Sequence, residues 1–190
     1  MTLTGLLRSY INWQQFPAGN TSQVNSIPAD LNVPFCTATD NIHGFPASYY
    51  FPADYAQLPT VAMVIPNLYH EMHSGRHQVK AGDNWLRTYM DGYVHWARTH
   101  NSLLILTWDE DGSRHQADNQ RIATILVGAH LKPGSCGQAV NHYNLLRTLE
   151  DMYQLPYCTN ADSKAAPITD VFTAVPKSPA PGPVRPSAGR

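Results

Sequence analysis

Residues 103–112 read LLILTWDEDG: an apolar run, then a tryptophan, three acids and a glycine. The apolar part is too short for a helix and rich in branched side chains, so it predicts a strand buried on both faces, as in a parallel sheet. Its end carries the opposite preference. A carboxylate is costly to bury and adjacent carboxylates repel, so Asp109, Glu110 and Asp111 must either sit in water or meet a cation. A solvated turn ahead of the polar run GSRHQADNQR, residues 112–121, accounts for them as well as a cation does.

Working outward, TVAMVIP (residues 60–66) and IATILVG (residues 122–128) read as two more buried strands. DNWLRTYMDGYVHWARTH, residues 83–100, places Leu86, Tyr89, Met90, Tyr93 and Ala97 on one helical stripe, with Asp83 as N-cap. NHYNLLRTLEDMYQL, residues 141–155, predicts a helix that starts near Asn141 and stops before Pro156. Near the N-terminus Leu3, Leu6, Leu7 and Tyr10 fall at helical spacing, so residues 2–13 are expected to be helical and INWQQF to turn extended. Strands alternating with helices predict an α/β fold, a mostly parallel sheet flanked by helices. Residues 17–60 show no sustained period, which in a compact domain points either to a functional cover or to regular structure that periodicity does not reveal. The tail from residue 173 is dense in Pro, Ala and Gly, and is expected to be disordered. The expected division is therefore one domain over 1–172 and a tail over 173–190.

The chain has 190 residues, enough for one core. With 14% charged residues and a formal net charge of −1, it has no electrostatic footprint for nucleic acid or an anionic membrane. No apolar run approaches the roughly 20 residues of a membrane helix, and the N-terminus lacks the pattern of a signal peptide. Three cysteines, Cys36, Cys136 and Cys158, leave at least one unpaired and are not spaced as a metal knuckle.

In open α/β sheets ligands gather at the carboxyl ends of strands. There the first strand delivers PNLYHEMHSG, residues 66–75, and the next delivers the acids after Trp108. His70, Glu71 and His73 thus arrive beside Asp109 and Glu110, although an ordinary polar loop explains the first group better, since no H-E-x-x-H signature is present. His142 opens the later helix and reads either as a site residue or as a helix-end residue. Asp83 is accounted for by capping alone. Carboxylates with imidazoles suit Zn, Mn or Fe, and mostly oxygen sites suit Mg or Ca. There is no G-x-S-x-G elbow and no phosphate-binding P-loop.

Taken together, FPADYAQLPTVAMVIPNLYHEMHSG, GDNWL, LLILTWDEDG, ILVGAHLKPG and VNHYNLLRTLEDMYQLPY resemble the C-terminal half of the phosphoesterase family, which holds acid phosphatases and phosphatidylcholine-type phospholipases C within the alkaline-phosphatase-like superfamily. The resemblance runs from about residue 3 to 172. It implies an alkaline-phosphatase-like α/β fold, incomplete at the N-terminus, and hydrolysis of phosphate esters with a divalent metal ion of unknown identity. It makes Asp109 and Glu110 metal ligands, His73 and His142 catalytic residues, and Glu71 and Asp83 supporting residues. It also implies a secreted or periplasmic location. The family shows acid-Met-His-acid where this chain has Glu71, Met72, His73 and Ser74, so one acid is longer and one is lost. The family's Glu-Asn metal motif and Ser or Thr nucleophile precede the matching region, so the nucleophile is expected to be missing from a truncated chain. A sheet edge left open in this way is expected to favour self-association. The rival expectation is a catalytically inactive remnant or binding module of the same fold.

Overall fold

The computed structural model describes residues 7–11, 32–34, 52–66, 68–73, 75–111 and 121–173, with side-chain detail from residue 52 onward. Five strands and four helices are placed. Strand β1 (Leu7–Ile11) lies between β2 (Asn32–Pro34) and β3 (Val61–Ile65), and both pairings are parallel. Two helices follow β3, α1 (Gln78–Tyr89) and α2 (Asp91–Ala97). Strands β4 (Leu103–Thr107) and β5 (Thr124–Gly128) form a separate antiparallel pair, from Leu103 opposite Gly128 to Thr107 opposite Thr124. Helices α3 (His142–Tyr153) and α4 (Asn160–Lys164) complete the described chain.

The fold is mixed α/β, and four expectations are corrected by it. The strands do not form one mostly parallel sheet, because β4 and β5 run antiparallel. An apolar run marks a strand but carries no direction, so it does not tell a parallel pairing from an antiparallel one. Residues 7–11 are a strand and not part of a helix. A two-sided ladder to β2 and β3 supplies hydrogen bonds that a weak helical spacing with Gly5 beside it does not.

The remaining two concern the helices and the burial of strands. The helix predicted from Asp83 begins five residues earlier, with His77 in the left-handed conformation at its N-cap. Its early buried positions are Ala81 and Gly82, and a side chain at Gly82 would press on the His70 carbonyl and on Met72. Small residues selected by close packing leave no trace in a search for large apolar side chains. That helix is also interrupted at Met90, and Gly92 in the following turn leaves room only for the Tyr55 hydroxyl. Finally, the strands are not buried on both faces, since Met63 and Ile125 are each 49% exposed.

The core is small. Trp85 and Met90 are buried together, with Leu58, Ala62, Val64, Leu86 and Tyr89 packed around them, so the end of α1 is pressed onto the face of β3. Tyr55, Tyr93 and Trp96 extend this packing, Tyr55 edge to face on Tyr93 and Trp96 tilted against both, with centroids 5.4 to 5.8 Å apart. Leu86, Met90 and Val94 face Leu104, Leu106, Ile125 and Val127 across an open groove of about 270 Å³. At the far end Ile168 and Phe172 are buried, and Phe172 bridges Leu131. The tail beyond residue 173 and most of segment 17–60 lie outside the described residues.

Because Trp85 anchors this core, Trp85→Ala should lower the unfolding free energy by about 3–5 kcal/mol, a transfer loss plus a cavity. Urea denaturation checks it, and a loss below about 1 kcal/mol would place the core elsewhere.

Candidate active site

Strand β4 delivers Trp108, Asp109 and Glu110 where its pairing with β5 stops at Thr107. Both carboxylates are exposed there, which removes the cost of burying them. Two hydrogen bonds fix the backbone around them. The half-buried Trp108 indole donates Nε1–H to the carbonyl of Glu71 at 3.3 Å. The His142 Nε2 lies 2.9 Å from the carbonyl of Asp109. A carbonyl only accepts, so Nε2 carries the proton, and in the neutral ring Nδ1 is left as an acceptor.

Each anchor rests on local folding. His142 is the first residue of α3, which starts there because the Asn141 side chain accepts from Tyr143 and Asn144 while Asn144 returns a bond to the Asn141 amide. Residues 68–73 form a tight turn after β3, closed by the His73 amide donating to the Leu68 carbonyl at 3.1 Å. Met72 has a φ of 74°, a left-handed conformation uncommon outside glycine, and its side chain is packed against Gly82 of α1. Gly75, at φ 102°, leaves space for the Tyr69 ring, which stands edge-on to His70 at 5.2 Å.

The electrostatics tie the turn to the strand end. Burial raises the Glu71 carboxyl above its ordinary value, His73 opposes the rise and the charge of Asp109 adds to it. Glu71, His73 and Asp109 therefore share one neighbourhood, and a carboxylate pair here gains from any cation placed between them. His142 joins them through the Asp109 carbonyl, and Glu110 is next in the chain.

Asp83 stands apart in its role, with its carboxylate 2.9 Å from Arg87 on the exposed side of α1. Among the described residues no three of Glu71, His73, Asp109, Glu110 and His142 bring ligand atoms within 4.8 Å of one another. The group that does is Glu150, Cys158 and Asp162, between the end of α3 and α4. Sequence reasoning passed over it. Its signal was the pattern Thr159-x-x-Asp162, a capping box that places an acid back against the connection after Tyr157.

The donor set at the end of β4 fits a divalent cation in kind, with two exposed carboxylates and an imidazole nearby. Comparison with known proteins bears on what this arrangement is for. Residues 20–156 match the Phosphoesterase family. Over 168 residues the chain is 39% identical to a phosphatidylinositol-3-phosphatase of Mycobacterium tuberculosis, covering 87% of this chain and 47% of that protein. The chain thus spans about half the length of the curated relative it matches. No solved structure matches it.

The Trp108 bond is the link between the strand end and the turn, and it can be removed alone. Trp108→Phe keeps the ring but loses the donor, and should lower the unfolding free energy by about 0.5–1.5 kcal/mol. An unchanged urea midpoint would mean that packing alone holds the turn.

Proposed function

Because the chain belongs to the phosphoesterase family, we propose that it contributes the metal-holding and phosphoryl-contacting part of a phosphate-ester hydrolase, acting on a phosphomonoester. The observation that carries this reading is the shared neighbourhood of Glu71, His73 and Asp109, locked by the bond from His142 to the Asp109 carbonyl. The name of the similar phosphatidylinositol-3-phosphatase supports the phosphate-ester class.

In this reading Asp109 and Glu110 hold the divalent cation, which when bound supplies positive charge to neutralise the transferred phosphoryl group. His73 leaves the turn beside them and contacts a phosphoryl oxygen, where a donor that strengthens as charge develops lowers the barrier. His142 holds the Asp109 backbone in place, and its Nδ1 stays available as a proton acceptor. Glu71 supports the same locality through its carboxyl. No residue of the described chain is assigned as nucleophile. A catalytically inactive remnant or binding module of the same fold is the rival, favoured by the lack of three preassembled metal ligands at this site among the described residues.

Isothermal titration of the 190-residue protein with Mn(II) or Zn(II) tests the site. Asp109→Asn should weaken binding at least about 10-fold, since an amide compensates cation charge poorly. Equal affinity in both would remove Asp109 from the site. Because nucleophile, metal and oxyanion donors act as a unit, the 190-residue protein alone should show no metal-dependent hydrolysis of p-nitrophenyl phosphate above background. A chelator-sensitive rate would place the nucleophile inside this chain, and His73→Ala should then lower kcat about 100-fold.

A further inference from the structure

Two buried acids at the far end of α3 play no part in the proposed hydrolysis. Glu150 is 1% exposed and Asp162 is fully buried. They converge on one donor, the Cys158 amide, which lies 3.1 Å from Glu150 Oε1 and 2.8 Å from Asp162 Oδ2. Glu150 Oε2 is buried and faces no N–H or O–H donor. The two carboxyls lie together, with ligand oxygens within 4.8 Å of one another. Two carboxylates cannot both be ionised at such a distance in a dry site without something positive between them.

We propose that Glu150 and Asp162 share one proton, with the Glu150 carboxylic acid donating to the Asp162 carboxylate, and that this proton latches the C-terminal end of α3 to α4. The donors around the pair decide which acid keeps its charge. Asp162 accepts from the amides of Cys158, Thr159 and Ser163 and from the Thr159 hydroxyl, so its ionised form is surrounded by hydrogen-bond donors. Among the described residues Glu150 has fewer donors, the Cys158 amide at 3.1 Å and the Cys158 thiol. A cation held by Glu150, Asp162 and the Cys158 sulfur is the competing arrangement, because these ligand atoms lie within 4.8 Å of one another. It is disfavoured by the same ring of N–H groups, whose positive ends already point at Asp162.

Among the described residues the remaining charged groups nearby do not supply the missing positive charge, and Lys164 of α4 is exposed. From α3, Arg147 is committed to Asp151 at 2.9 Å and to the carbonyls of Ser163 and Ala165, and its guanidinium stacks on Tyr157 at 4.3 Å. Asp151 also accepts from the Tyr157 hydroxyl. The connection between the helices adds only Tyr157 and the Cys158 thiol, which burial and then Glu150 push up to about 11, so it stays neutral.

The titration directions agree with the latch. Burial raises Glu150, the Cys158 thiol opposes the rise and the Asp162 carboxyl adds to it. For Asp162 burial works upward but is outweighed by the Thr159 and Cys158 donors, which lower it to about 2. The two acids act on stability in opposite senses. Asp162 stabilises above its ordinary value and loses that contribution as the pH falls toward about 2. Glu150 retains a proton that the unfolded chain gives up above about 4.5, so its contribution declines as the pH rises beyond that value. The pair is therefore best satisfied in mild acid. The other end of α3 carries His142 and its hold on Asp109, so the latch fixes the helix that braces the candidate site.

The experiment compares the 190-residue protein with Glu150→Gln, whose amide donates to Asp162 without titrating. The urea midpoint of the parent should fall between pH 5 and 8, the variant should stay flat there, and the variant should be the more stable at pH 8. The infrared carbonyl band of a protonated carboxylic acid should be present at pH 7 in the parent and absent in the variant, a reading that does not need reversible unfolding. Parallel pH profiles, or no such band, would overturn the latch. So would a rise in melting temperature on adding Zn(II) that is lost in both Glu150→Gln and Cys158→Ser, which would put a cation where the proton is placed.

Discussion

The arrangement at the end of β4 depends on two backbone carbonyls being held from outside their own elements. Asp109 and Glu110 lie past the last strand pair, where no ladder constrains the chain. Without the His142 ring on the Asp109 carbonyl and the Trp108 indole on the Glu71 carbonyl, the acids would occupy a loop with many conformations. A hydrogen bond of this kind contributes about 1 kcal/mol in stability, which is small for a domain but large for the choice among loop conformers. Their spacing in sequence, 33 and 37 residues, shows that the site exists only once α3 and the turn 68–73 have docked.

That dependence explains why helices matter more than strands here. Helix α1 presses Gly82 against the turn that carries Glu71 and His73, and α3 presents His142 from its capped start. Both helices expose the opposite face, and neither needs the β4–β5 ribbon to be fully covered. The groove between α1, α2 and that ribbon is open as a result, and Ile125 remains exposed in it. An edge of this sort is tolerated at the margin of a sheet but lowers solubility when it is apolar.

What could be read from the chain follows from which signals are local. The start of α3 was legible because Asn141 caps it through its own neighbours, and the end because Pro156 follows it closely. Strands β3, β4 and β5 were legible as apolar runs, yet the antiparallel pairing of the last two was not, since pairing direction is set by the connection and the packing around it. The early turns of α1 were hidden by Ala81 and Gly82, chosen for closeness rather than hydrophobicity. Strand β1 was hidden because its ladder is made entirely with distant residues. Among site residues, the electrostatic influence of Asp109 on Glu71 was inferable from the rule that strands deliver their loops to one edge. The bond that brings in His142 was not, because nothing in Asn141–His142–Tyr143 reveals its partner.

The acid pair between α3 and α4 shows the same division more sharply. Thr159 and Asp162 form a local capping box, and on that basis alone Asp162 is satisfied. Glu150 enters from twelve residues away and is carried into the same space because α3 ends in a left-handed Gln154 that turns the chain back on itself. A lone acid at the end of a helix ordinarily opposes the helix dipole and sits in water. Here the fold gives it no water, so neutralisation by a proton is the least costly way to retain it, and the carboxylate best supplied with donors is the one left charged. The same reasoning separates the two acid groups in this chain. The carboxylates of Asp109 and Glu110 after β4 face solvent, whereas the buried ones after α3 resolve their repulsion internally.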